Sequence, residues 1–186
     1  MKDRLHRFYH FLHEDSWQSW LVSCILIIGF IKLIFFPGLA LLTGTPLPLV
    51  VVESCSMYHV GPFDDWYAAN KEWYSSRQIR AENFSEFAFK NGINKGDIIF
   101  VIADKQPTIG DVIIFTSTTQ YPIIHRMIAD HPIQTKGDNN PSQLQQETNI
   151  QQEQVIGKAV VRIPLLGWVK LIFFDFNKPA DLRGLC

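Results

Sequence analysis

The sequence predicts a mainly β domain carried behind one N-terminal transmembrane helix and interrupted by a short helical insertion. Three observations carry this. Residues 20–36 are apolar except for Ser23 and Lys32. Short β-branched runs separated by turn residues recur from Lys95 to Pro164. Between them, residues 61–92 are rich in aromatics and charges and lack strand alternation. A chain of 186 residues holds one domain with a sizeable core in addition to an anchor. The net charge of −1 supplies no basic field, which argues against a nucleic-acid partner.

The N-terminal segment, residues 1–19, mixes Lys2, Arg4 and Arg7 with Asp3, Glu14 and Asp15. Leu5, Phe8, Phe11 and Leu12 fall at helical spacing, which suits either an amphipathic helix at a membrane surface or a polar lead into the membrane. The seventeen residues 20–36 rise about 25 Å as a helix, close to the hydrocarbon thickness of a bilayer. Trp17 and Trp20 suit the interface, and Lys32 can reach the headgroups along its own stem. Pro37-Gly38 is expected to end the helix. The long acid-bearing N-region, with no small-x-small site close behind the helix, argues for an uncleaved anchor over a signal peptide. Basic residues flank the N-terminal end, and after Lys32 none occurs until Lys71. The expectation is a single-pass integral cell membrane protein in contact with the lipid bilayer, with 1–19 cytoplasmic and 37–176 extracytoplasmic, followed by a tail, 177–186.

Leu47 to Val52 reads as a strand. Gly96-Asp97-Ile98-Ile99-Phe100-Val101 and Gly110-Asp111-Val112-Ile113-Ile114-Phe115 each place a Gly-Asp turn before a β-branched run. Ile123–Ile128, a strand end at Gln134–Lys136, and Val155–Pro164 continue the pattern. Residues 142–154 are Gln-rich and read as a surface loop. Within 61–92, the spacing of Trp66, Tyr67, Asn70, Trp73 and Tyr74 predicts one or two short helices, either packed on the domain or presenting tryptophans to a partner. The apolar stretch Leu165–Phe176 packs on the domain or rests on the bilayer.

The chemistry centres on Glu53-Ser54-Cys55-Ser56-Met57, directly after the first strand. A serine at a strand end is held by the sheet while its hydroxyl faces a cleft, but it needs a base. His6, His10 and His13 lie before the membrane helix. His59 sits in a loop with little to fix its ring, and His131 in a turn before Pro132. His125 lies mid-strand on the face opposite Arg126, where it is either a core histidine or a base. Asp138, in Gly137-Asp138-Asn139-Asn140, is a candidate to orient the imidazole, although that run is also good turn chemistry. Cys55 is expected to pack against the sheet. Cys24, Cys55 and Cys186 form no Cys-x-x-Cys pair and indicate no disulfide framework, so they do not assign a compartment. No metal-ligand spacing is present, and no cofactor is expected.

Taken in order, these motifs resemble the type I signal peptidases, in particular their archaeal and endoplasmic-reticulum branch. Ser54-Cys55-Ser56-Met57 resembles the Ser-Gly-Ser-Met box, and the two Gly-Asp strands have their counterparts. His125-Arg126-Met127-Ile128 resembles His-Arg-Val-Ile, and Gly137–Asn140 matches a Gly-Asp-Asn-Asn box. Val155–Ala159 with Ile163–Gly167 resembles the closing strand and its Ile-Pro-x-x-Gly turn. The resemblance spans about residues 20–170 apart from 61–92. It implies the signal-peptidase/repressor-type β fold and removal of signal peptides from secretory preproteins, after small residues, on the outer membrane face. It implies Ser56 as nucleophile and His125 as general base, with Ser54 or the Ser56 amide stabilising the oxyanion. Cys55 replaces the usual Gly, and Tyr58-His59 replaces the usual Glu-Pro. The branch carries an Asp shortly after Asn-Asn, and Pro141–Gln146 contains none. Asp138 is then the first choice to orient His125 and Glu147 the second, with a bare Ser-His dyad as the third possibility. The resemblance leaves accessory subunits open. The alternative is a membrane-tethered, non-catalytic β module that binds a partner through 61–92.

Overall fold

Gly96 and Gly110 each open a strand because each sits at a positive φ, 89° and 100°, under an aromatic ring. A Cβ on Gly96 would lie 2.1 Å from the Trp168 indole, and one on Gly110 would lie 2.2 Å from the Phe87 ring. Only glycine supplies that backbone and leaves room for the ring. The computed structural model describes residues 2–117, 121–179 and 183–186. In it the two Gly-Asp strands, β2 (Ile98–Ile102) and β3 (Val112–Phe115), join β1 (Leu49–Val51), β4 (Ile123–Asp130), β5 (Ile133–Lys136) and β6 (Val155–Ile163). Every pairing is antiparallel, in the order β1-β2-β6-β3-β4-β5. The mainly β reading with a helical insertion is borne out.

The burial of β3 explains its composition. All four of its residues are buried, so Val112 and Ile114 enter one cluster with Val52, Met57, Ile99 and Val101. Ile113 and Phe115 enter another with Ile150 on the opposite face. A strand covered on both sides reads as a continuous apolar run, as this one does.

Within 61–92 the expected short helices form, α4 (Phe63–Ser75) and α5 (Ala81–Ser85). Their aromatic stripe faces inward. Trp66, Tyr67, Tyr74 and Phe84 are buried with Ile79 and Ile128 of β4. The alternative of a partner surface built on exposed tryptophans therefore loses Trp66, and Trp73 is half-buried. The helix α6 (Trp168–Phe174) buries Leu171 and leaves Val169, Ile172 and Phe173 exposed. It thus packs on the domain along one side only.

Among the described residues, 2–42 form a separate unit. It contains α1 (Lys2–Leu12), α2 (Trp17–Phe30), a π-helical turn (Ile31–Phe35) and most of α3 (Phe36–Thr43). Together Trp17–Thr43 makes one apolar helix of membrane-spanning length. The expected stop at Pro37-Gly38 is corrected, because the helix runs through it. Proline lacks an N–H and crowds the carbonyl four residues earlier. The π-turn just before it relieves this by widening the ladder, with the Phe36 N–H bonded to Ile31 O. Ser16 caps the start, its hydroxyl accepting from the Ser19 amide at 3.2 Å.

Candidate active site

The Ser54-Cys55-Ser56-Met57 box leaves β1 as a tight loop in which the carbonyls of Cys55, Ser56 and Met57 are all engaged. The Tyr58 amide donates to Cys55 O at 3.1 Å, and the Ile93 amide donates to Met57 O at 2.8 Å. The Asn139 amide donates to Ser56 O at 2.8 Å, and its side-chain amide donates to Cys55 O at 3.0 Å. Met57 is fully buried and anchors the loop in the core. The Gly-Asp-Asn-Asn turn therefore acts as a clamp on the serines. Ser54 Oγ and Ser56 Oγ lie 3.1 Å apart.

His125 reaches the same place from β4. A Cβ on Gly137 would sit 2.7 Å from His125 Nε2 and 2.8 Å from Ser56 O. The Gly137 position thus marks where the imidazole and the Ser56 loop converge, and a side chain there would separate them. His125 is buried, and its Nδ1 bonds a Glu147 carboxylate oxygen. A carboxylate only accepts, so Nδ1 carries the proton of that bond, and Nε2 is the ring nitrogen turned toward Gly137 and the Ser56 loop. Glu147 is itself fixed and fully buried. It accepts from Thr135 Oγ1 at 3.0 Å and from the Leu144 amide at 2.7 Å, within the short 3₁₀ turn Gln145–Glu147.

The acid on His125 is therefore Glu147, and the first choice, Asp138, is corrected. Asp138 is fully buried on the other side of β4, where it takes Arg126 in a forked pair at 3.0 Å and 2.8 Å. It also bonds His59 Nε2 at 2.9 Å and accepts from the Tyr74 hydroxyl at 3.2 Å. Burial pushes its carboxyl up, but the charge of Arg126 and the bonds from His59 and Arg126 hold it down to about 2. Burial, and then the Asp138 charge, raise the Tyr74 hydroxyl above its ordinary value. Arg126 spends its remaining donors on Ala88 O, Gly110 O and Phe89 O.

His59 is also better fixed than its loop position suggests. Its ring stacks on Trp66 at 3.6 Å and 6°. Its Nδ1 is buried without a hydrogen-bond partner among the described residues, so its proton belongs on Nε2, donated to Asp138.

Ser54, Ser56 and His125 line one groove of about 560 Å³, whose walls include Leu49, Val51 and Leu144. That size accommodates a few residues of extended peptide. Beside it, Cys55 pairs with Cys186 across 131 residues of sequence, with Cys24 left free. Two expectations are overturned here: Cys55 does not simply pack on the sheet, and a disulfide is present. Widely spaced single cysteines carry no local signal of their pairing.

No family model matches the chain. Among curated proteins, the signal peptidase complex catalytic subunit SEC11 of Komagataella phaffii is 29% identical over 167 residues, spanning 80% of this chain and 78% of its own length. Its counterpart from Zygosaccharomyces rouxii is 28% identical over 163 residues, spanning 80% and 78%. The human signal peptidase complex catalytic subunit SEC11C is 28% identical over 161 residues, spanning 78% and 67%.

Proposed function

We infer that this chain, whose homologues are catalytic subunits of the signal peptidase complex, is a membrane-anchored serine endopeptidase that removes signal peptides from secretory preproteins. The observation that carries the reading is the convergence of Ser56 and His125 Nε2 at Gly137, with Glu147 on the far nitrogen of the same imidazole.

In this mechanism His125 Nε2 takes the Ser56 Oγ proton as the hydroxyl attacks the scissile carbonyl. The Ser54 hydroxyl and the Ser56 amide serve the oxyanion. The imidazolium then returns its proton to the leaving amine. Water, deprotonated by the same nitrogen, releases the acyl group. Glu147 keeps the tautomer and steadies the charge on the ring. The free edge of β1 offers hydrogen bonds to an extended substrate, and the groove takes its side chains. The Cys55–Cys186 bond supports placing the domain in an oxidising, extracytoplasmic compartment.

The test is direct. The full chain in lipid vesicles is given a preprotein, and the new N-terminus is sequenced. Cleavage after a small residue at the signal-peptide boundary is expected, and an intact preprotein overturns the reading. Within that assay, Glu147→Gln is expected to lower kcat by about 10²-fold or more with KM little changed, because the amide no longer holds the tautomer. A wild-type kcat in that variant removes Glu147 from the mechanism.

A further inference from the structure

We propose that α6 and the residues after it to 179, together with 183–186, form a positioning strap for the nucleophile loop, and that the Cys55–Cys186 disulfide makes cleavage dependent on the oxidation state of that pair. This rests on Ser56 being the nucleophile.

The strap has a fixed base. Leu171 is buried in the domain, and the Trp168 indole donates to Lys95 O at 3.2 Å. The buried Lys95 ammonium pairs with Asp175 at 2.8 Å, and the Gly184 amide donates to the other Asp175 oxygen at 2.8 Å. From this base, three ties reach the residues just before Ser56. Lys170 Nζ meets the Glu53 carboxylate at 2.9 Å, Lys178 Nζ donates to the Glu53 carbonyl at 3.0 Å, and Cys186 is bonded to Cys55. On its other side the loop is clamped by Asn139. Ser56 is thus held between two fixed structures, one of which is attached covalently to the neighbouring residue.

The three ties are unequal. The Lys170–Glu53 pair is exposed on both partners and competes with water. The disulfide does not, so it is the strap's decisive contact. Its chemistry is accessible, since Cys186 is exposed and Cys55 half-buried. Two thiols here give up two protons and two electrons to a disulfide oxidant, which leaves as two thiols. A reducing dithiol reverses the exchange. The strap does not cover the groove: Lys170 reaches its lining, whereas Lys178 and Cys186 stand outside it. The bond therefore aligns Ser56 without blocking substrate, and the oxidised form is the active one.

The experiment compares the full chain in lipid vesicles, oxidised with glutathione disulfide or reduced with dithiothreitol. Reduction is expected to lower kcat for a preprotein about tenfold, with KM changed less than about twofold, and reoxidation is expected to restore it. Cys186→Ser is expected to show the same loss and no response to reductant, while Cys24→Ser behaves as wild type. A second readout needs no activity. In the Ser56→Ala background, amide hydrogen exchange across 53–58 is expected to quicken on reduction. If kcat and exchange are both indifferent to reductant while cleavage still requires Ser56, the strap is overturned and the peptidase reading stands. If exchange responds but oxidised wild type cleaves nothing, the peptidase reading fails and takes the redox control of cleavage with it, leaving only a mechanical tie on 53–58.

Discussion

Ser56→Ala is expected to abolish cleavage, lowering kcat by at least about 10³-fold and toward the ~10⁶ lost when a serine nucleophile is removed from an intact site. The neighbouring hydroxyl does not rescue the variant. Ser54 Oγ is only 3.1 Å from Ser56 Oγ, but Ser54 is exposed and precedes the disulfide-bonded Cys55. It is the Ser56 carbonyl, not that of Ser54, that shares the Gly137 position with His125 Nε2 and receives the Asn139 amide. Ser54→Ala is accordingly a milder change, about 10²-fold in kcat, the size expected for one lost oxyanion donor. Preprotein binding should survive in both variants, because each removes only one hydroxyl from the groove and leaves its apolar walls, Leu49, Val51 and Leu144, in place. The measurement is single-turnover cleavage alongside equilibrium binding of a fluorescent preprotein. A Ser56→Ala protein that trims at the wild-type rate sinks the mechanism.

Asp138→Asn is expected to damage stability more than chemistry. The exchange removes the only carboxylate facing a fully buried guanidinium among the described contacts of Arg126. Leaving a buried charge without its partner costs about 3–5 kcal/mol. For a domain of this size that lowers the melting midpoint by about 10 °C. Trp66 stacks on His59, which bonds Asp138, so its fluorescence reports the loss directly. The pH dependence follows from the same group. Its folded value, about 2, lies below the ordinary carboxylate value near ~3.9. The stabilisation is therefore complete above about pH 5 and disappears as pH falls from about 4 to about 2, a loss of about 2 kcal/mol. Asp138→Asn should lack that part of the acid transition, whereas Glu147→Gln should melt close to wild type and fail in kcat. An Asp138→Asn protein with a wild-type midpoint refutes this division of labour.

The division was half visible in the sequence. The strands announced themselves through Gly-Asp turns and β-branched runs, because local chemistry determines both. The choice between carboxylates was not visible, because it depends on strand parity. Arg126 lies opposite Lys136, and Met127 opposite Thr135. Residues facing one another share a face, so alternation puts Asp138 on the Arg126 side and Thr135 and Gly137 on the His125 side. A shift of one residue would have reversed the roles. Glu147 was obscured for a different reason. It lies in a Gln-rich run with every sign of a surface loop, yet is buried by the 3₁₀ turn that carries it. Pro37 misled because a π-turn absorbs it. The Cys55–Cys186 bond has no local signature at all. One signal was available: an arginine in the middle of an apolar strand requires a buried anion, and of the two next carboxylates downstream, Asp130 lies exposed at the strand end whereas Asp138 is the buried one.

The insertion that Arg126 grips has consequences for how the domain opens. Ala88 and Phe89 supply carbonyls to its guanidinium, and Tyr74 shares its counter-ion. Helices α4 and α5 therefore cannot peel away without exposing an ion pair that is otherwise sealed from water. A surface excursion of this length would ordinarily fluctuate as its own small foldon. Here it is welded to β4, so insertion and catalytic sheet belong to one cooperative opening unit. Trimming the insertion would remove the roof over Arg126 along with it.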